Sequence, residues 1–412
     1  MKKILIACQY ATNKGDRAIA EYLIYQLKKQ PDVQIVLSTN QPELWENIRD
    51  ERTRVIGLGY RDRSVTMKHG LACRVVRKLT AKYHHRRVYP DMMRLDSDHK
   101  LLRKRSRAFI EQVQSADLVI ITGGHHITSI RAGNALFDVT YDIGLISLYA
   151  KRYVLWSQTI GPLKFTNPAA KDFFGRVLKG AEAIYIRDEN SRTCLQELYP
   201  GLTNVRKSYD SVFGFGELEK LPYAQRERKV GISIFNGLPK AYQTFDAIAV
   251  LLDSFAEKGY AVEFFRMEHG DKEFQDICNI TEKMRHKKWV KVFPFGTSTL
   301  EHLKEMSTCS CYIGYKTHSV IMALTTATPL LGICYHPKTR DFMADFGLAE
   351  YAVDDVALTA EIGIIMAENI EANAEQIHTV MAKRAEEMAA QMAADLFAML
   401  QEGGADSAGE GK

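Results

Sequence analysis

Short apolar runs alternate with amphipathic stretches along most of the chain. Residues 4–8 read as a buried strand, and Gly15-Asp16 opens a helix whose apolar face is Ile19, Leu23, Ile24 and Leu27. Pro31-Asp32 ends it before a strand at 33–37. A helix near 101–114 leads into a strand at 117–121, which Gly123-Gly124 breaks. A helix is predicted at 134–150 and a strand at 153–156, with Gly161-Pro162 beyond it. Pro168 fits the first turn of a helix that ends at Gly180, and 183–186 is the last clear strand of this half. The stretch 217–228 is charged and lacks periodicity, so it reads as a linker. Strands then recur at 229–235, 260–265, 289–293, 311–314 and 329–334, separated by helices such as 245–258 with Gly259 as its C′ residue. Residues 370–400 predict a long Ala- and Met-rich helix, and 402–412 a disordered tail.

This alternation argues for parallel sheets covered on both faces, in two Rossmann-like α/β domains facing a cleft. The expected division is an N-terminal domain at 1–216, the linker at 217–228, a C-terminal domain at 229–356 and C-terminal helices at 357–401. A length of 412 residues accommodates two or three such domains. No run of about 18 apolar residues predicts a membrane span, and the apolar start at 4–8 is too short for a signal peptide, so the expectation is a cytoplasmic protein.

Seven scattered cysteines form no zinc-finger spacing, and Cys309-x-Cys311 reads as the passage from a helix into a buried strand. No metal is expected. The net charge of +5 is unevenly spread: residues 61–109 hold fifteen Lys or Arg against four Asp. This segment reads as a basic helical insertion. It is either a solvated set of charged faces or a patch for anionic lipid headgroups or a diphosphate-bearing substrate. No nucleic-acid motif accompanies it, and no nucleic-acid partner is expected.

Candidate chemistry is sought beyond the carboxyl ends of the strands. Asn13-Lys14-Gly15-Asp16 offers a close backbone approach and helix N-terminal amides, or simply a turn capped by Asp16. Gly123, Gly124 and His125 follow the next strand. The paired glycines let main chain approach a ligand or a facing helix, and His125 offers a contact to a sugar. Gln158 lies at a polar strand end. Arg187 emerges at a strand-to-helix junction, either as a surface ion pair or as an anion ligand. At 314–324 a buried strand ends in Lys316 and His318, followed by Ser319 in a helix. A cation, an imidazole and helix N-terminal amides thus fall within a few residues. Lys338 repeats the theme after the next strand.

The ordered set Asn13-x-Gly15-Asp16, the run 117–124, Gln158-Thr159-Ile160-Gly161-Pro162, Arg187-Asp188-x-x-Ser191, Asp210, Gly314-x-Lys316-x-His318, Pro329 and Tyr335-x-x-Lys338 resembles the polysaccharide pyruvyl transferases. The resemblance implies a GT-B-like fold. It also implies transfer of a pyruvyl unit from phosphoenolpyruvate to a sugar of a bacterial surface glycan or its lipid-linked precursor. Phosphoenolpyruvate is then a donor substrate, with no cofactor required. By position, Arg187, Lys316 and His318 bind or act on phosphoenolpyruvate, His318 and Asp16 being the catalytic candidates. Asn13, Gly15, Gly123, Gly124, His125, Gln158, Ser319 and Lys338 are candidate substrate contacts. Members often carry Arg where this chain has Lys316, which keeps the charge without the bidentate fork, and a third glycine where it has His125.

Two other readings stay open: a nucleotide-sugar glycosyltransferase of the same architecture, and a non-catalytic glycan-binding relative. Expected partners are phosphoenolpyruvate, a glycan acceptor and, through the basic segment, the anionic inner face of the plasma membrane. The C-terminal helix is compatible with a homo-oligomer.

Overall fold

The computed structural model describes residues 1–9, 13–59, 106–128, 135–165, 168–235, 237 and 241–401, with backbone alone at 135–140 and 241–243. The basic insertion expected at 61–109 lies outside the described residues up to 105, and so does the tail expected at 402–412. Two compact units are present: Met1–Ala11 with Leu23–Asp210, and Thr12–Tyr22 with Ser211–Lys412.

In chain order the first half supplies β1 (Lys2–Gln9), α1 (Lys14–Lys28), β2 (Val33–Thr39), β3 (Thr53–Gly57), α2 (Arg107–Ser115), β4 (Leu118–Ile121) and β5 (Gly124–Ile127). It continues with α3 (Ala135–Tyr149), β6 (Tyr153–Ile160), α4 (Pro168–Gly180), β7 (Ile184–Ile186), α5 (Glu189–Leu198) and β8 (Val205–Lys207). The sheet order is β3-β2-β1-β4-β6-β7-β8, with β5 on β6, and every pairing is parallel. Its central strands are continuous apolar runs such as Ile4, Leu5 and Ile6, as strands buried on both faces require. Strand β6 runs four residues beyond the expected 153–156. Left-handed Ser157 (φ 53°) accompanies a register shift against β7, and beyond it the strand resumes.

The second half supplies β9 (Glu227–Ser233), α6 (Ala241–Glu257), β10 (Ala261–Phe265), α7 (Asp271–Lys283), β11 (Val290–Phe293), α8 (Thr299–Thr308) and β12 (Cys309–Gly314). It continues with α9 (Thr317–Thr325), β13 (Leu330–Cys334), α10 (Pro337–Asp345), β14 (Ala352–Asp354), α11 (Ala360–Ala372) and α12 (Ala374–Gln401). The sheet order β11-β10-β9-β12-β13-β14 is that of a dinucleotide-binding α/β fold. The order reverses between β9 and β12, which is where such sheets bind ligands.

The segment 217–228 belongs to the second unit rather than standing apart as a linker. Arg226 within it is buried and donates to the carbonyls of Cys309 and Thr326 at 3.1 and 2.9 Å and to Thr328 Oγ1 at 2.8 Å. Helices α11 and α12 are also part of this unit. Ile377, Met381, Ala385, Met388, Met392, Leu396 and Met399 form the buried stripe of α12, and a Cβ on Gly216 would lie 2.3 Å from the Ala385 carbonyl oxygen. Among the described residues no helix is long and apolar enough to cross a membrane.

One core group makes stability pH-dependent. His302 on α8 is fully buried, with its ring edge-on to Phe265 and Phe293 at 5.2 and 5.6 Å and neither nitrogen hydrogen-bonded. Burial, reinforced by the Lys14 charge, holds its pKa well below the ordinary 6.5. The unfolded chain therefore binds a proton that the folded chain refuses once pH falls below about 6.5, and stability is lost there at about 1.4 kcal/mol per pH unit. His302→Leu is expected to flatten the acid limb of a urea-stability profile by that slope. An unchanged limb would show that His302 takes up its proton while folded.

Candidate active site

The second unit gathers the candidate residues around the ends of β12 and α1. Lys316 caps α9 with extended backbone, and Gly314 before it has no room for a side chain, since a Cβ would lie 2.5 Å from Val320. The Lys316 side chain is nearly enclosed, and its ammonium pairs with the Glu268 carboxylate. Glu268 follows β10 and forms an isolated antiparallel bridge with Asn13. Its amide donates to Glu273 Oε2 at 3.0 Å, while the Met267 amide donates to Glu273 at 2.9 Å. Glu273 is buried, and burial pushes its pKa up against those amides and the Lys316 charge.

His318 stands in the first turn of α9, and its ring lies directly on the backbone of Gly15. A Cβ there would fall 2.0 Å from His318 Cγ and 2.3 Å from Nδ1. The start of α1 is built around this contact. Asn13 Oδ1 accepts the Asp16 amide at 2.8 Å, and Asn13 Nδ2 donates to the Asp16 carboxylate. Asn13 is therefore the cap and Asp16 the third helical residue, which corrects the reading of Asp16 as N-cap. The carboxylate at this position also suits the helix dipole.

Lys14 is fully buried and donates to the carbonyls of Phe295 and Thr297 at 2.6 and 2.5 Å, with burial lowering its pKa to about 8. Arg17 pairs with Glu21 at 2.6 Å, and Glu21 accepts the Thr299 amide at 2.5 Å. Lys14 and Glu21 thus fasten α1 to the loop between β11 and α8. Glu21, Glu268 and Glu273 carry no motif and Lys14 fills only a variable motif position, so sequence reasoning misses their roles.

Ser319 and Lys338 lie in the same unit. Ser319 is fully buried, donating to the Lys316 carbonyl at 2.7 Å and sharing a short contact with the Ser233 hydroxyl. This places its hydroxyl behind the α9 turn, bonded within the protein. Lys338 sits in the first turn of α10, where its amide donates to His336 Nδ1 at 3.2 Å.

The first unit holds the remaining candidates. Gly123 is needed by β6, because a Cβ would lie 2.0 Å from the Ser157 carbonyl oxygen, so its close approach is to protein main chain. Gly124 has φ 135°, and its Cβ would meet the His126 ring at 2.3 Å. His125 Nε2 bonds the Gly161 carbonyl at 2.8 Å. Gln158 is buried and donates to the carbonyls of Ile121 and Thr122 at 3.0 and 2.8 Å, closing the end of β4. Arg187 is not a surface ion pair. Its side chain is 8% exposed and pairs with Asp210, whose side chain is 0% exposed, while Nε donates to Thr159 Oγ1 at 2.9 Å. Asp188 caps α5 by accepting the Ser191 amide at 2.9 Å. An anion would have to share the Arg187 guanidinium with Asp210. Among the described residues no group of three or more His, Cys, Asp or Glu is placed to hold a metal ion.

Two parallel sheets of this order, each with its helices, define the GT-B class of fold. Solved structures share it: a glycosyltransferase from Rickettsia africae (TM-score 0.58, 10% identity, 98% of this chain and 99% of that one). The S. aureus MnaA–UDP complex is similar over 97% and 95% of the two chains (TM-score 0.58, 7% identity). So is the UDP-GlcNAc 2-epimerase of Methanocaldococcus jannaschii, over 93% and 100% (TM-score 0.53, 10% identity). No curated protein matches significantly. Within this fold class the chain matches polysaccharide pyruvyl transferase over residues 13–337, and it belongs to that family.

Proposed function

We propose that the chain transfers a pyruvyl group from phosphoenolpyruvate to a sugar of a bacterial surface glycan or its lipid-linked precursor. The observation that carries this reading is the placement of Lys316 and His318 two positions apart where β12 gives way to α9, the ring held on Gly15 beside Asn13 and Asp16. Phosphoenolpyruvate needs a fixed cation for its anionic groups and a proton donor at its methylene carbon, and Lys316 and His318 supply these types. Protonation of C3 makes C2 electrophilic, and one sugar hydroxyl adds there and gives up its proton. A second hydroxyl then displaces phosphate from C2, closing the cyclic ketal. The proton from one hydroxyl replaces that taken by C3, and the other leaves with phosphate. Asp16 orients or deprotonates the acceptor. In the first unit, Arg187 is retained as an anion contact.

The test is incubation with phosphoenolpyruvate and a panel of glycan acceptors. One pyruvyl ketal gained by mass, with matching phosphate release, is expected. Phosphoenolpyruvate is also expected to raise the melting temperature. The fold is shared with UDP-binding proteins, so stabilisation by a nucleotide sugar and none by phosphoenolpyruvate would instead assign a glycosyltransferase. Glycan binding without phosphate release would assign the non-catalytic reading. The membrane role of the basic segment predicts salt-dependent binding to anionic vesicles and none to neutral ones.

A further inference from the structure

We infer that Glu268 is a built-in competitor for the anion that Lys316 takes up, pairing with the ammonium and expelling phosphate after turnover. The inference rests on the reading of Lys316 as the donor's cation. The ammonium of Lys316 is paired with the Glu268 carboxylate. The two side chains are unequally enclosed, 10% exposed for Lys316 and 40% for Glu268. An anion arriving from solvent therefore meets the carboxylate first and has to take its place.

The local construction suits such an exchange. The Glu268 backbone is fixed at both edges, by the bridge to Asn13 and by its amide on buried Glu273. Its own side chain bends at several single bonds, so the carboxylate can withdraw without moving β10 or α1. Glu273 also feels the Lys316 charge, but its oxygens are held by the amides of Met267 and Glu268, so it stays in place while Glu268 exchanges. A nearly enclosed ammonium without a counter-ion is strongly unfavourable, so Lys316 keeps either this carboxylate or a bound anion beside it.

Two consequences follow for specificity. A ligand that offers only one carboxylate replaces like with like and gains little from Lys316. A phosphate dianion offers more charge than Glu268 and displaces it at a net gain. The wild-type site thus discriminates phosphorylated acids from simple carboxylates. Once phosphate has left carbon, Glu268 competes again for Lys316 and hastens its departure.

The experiment is equilibrium binding of inorganic phosphate, pyruvate and phosphoenolpyruvate to the full chain, comparing wild type with Glu268→Gln, Glu268→Ala and the double variant Glu268→Gln/Lys316→Ala. Both single variants are expected to bind phosphate about fivefold more tightly, the scale of one ion pair removed from the competition. Pyruvate should gain at least as much, and the double variant should lose the gain. Tighter binding is not what mere damage to the fold produces. Unchanged or weaker phosphate binding in both single variants overturns the inference, as does a gain that survives loss of Lys316. Tightened phosphate binding with no phosphoenolpyruvate binding in any variant leaves the competitor in place and removes the donor assignment instead.

Discussion

Replacing His318 with alanine lowers phosphate release with an authentic acceptor by about 10³-fold, within the range of a lost general acid. The stabilisation given by phosphoenolpyruvate survives, because Lys316 and the amides of α9 remain to hold the anion. This split between turnover and binding separates an acid from a mere ligand contact. The ring also fills the space over Gly15, so its loss leaves a small void there. Full phosphate release by His318→Ala, measured by coupled phosphate detection, would remove the imidazole from the mechanism. A loss of binding equal to the loss of turnover would recast it as a contact to the donor.

How much of this was visible in the chain depended on where each residue's partner lies. The inner strands were legible because strands enclosed on both faces must be apolar throughout, as at 4–8 and 329–334. Strands β3, β8 and β14 were not, and all three lie at sheet edges. Their residues Arg54, Arg206, Lys207 and Asp354 erase the apolar signature. Strand β11 is also an edge, yet its Val-Lys-Val-Phe alternation kept it readable. Cys309 does mark the passage from helix to buried strand, with α8 ending at Thr308 and β12 starting at Cys309.

The site was legible in its motifs and opaque in their purposes. The pair Gly123-Gly124 announces close approach, but only the fold shows that Gly123 makes room for the β6 main chain. Arg187 at a strand exit looks available until buried Asp210 is placed beside it. Asn13 and Asp16 are both capping types, and only the amide direction chooses Asn13. Lys14 fills the variable position of the Asn13-x-Gly15-Asp16 motif, and nothing local shows that two loop carbonyls nearly three hundred positions later in the chain receive it. Glu268 has no local signal at all, since its partner is Lys316, 48 residues away.

Gly15→Ala should be strongly damaging although it adds a single methyl group. Helix propensity argues the other way, since alanine at a helical position outranks glycine by about 1 kcal/mol. Gly15 has no left-handed backbone to protect, so only the contact with His318 opposes the change. The added carbon would stand 2.0 Å from Cγ, 2.3 Å from Nδ1 and 2.4 Å from Cβ of that ring, and His318 or the start of α1 has to move. Overpacking of this kind costs about 1–3 kcal/mol, and displacement of a catalytic ring by an ångström costs about 10²-fold in rate. The decisive measurement is a double-mutant cycle. In the His318→Ala background the space is vacant, so Gly15→Ala should become neutral or stabilising by thermal denaturation, giving a coupling of about 2 kcal/mol. Equal destabilisation in both backgrounds would mean that the glycine serves the bend into α1 and that the imidazole is not held there.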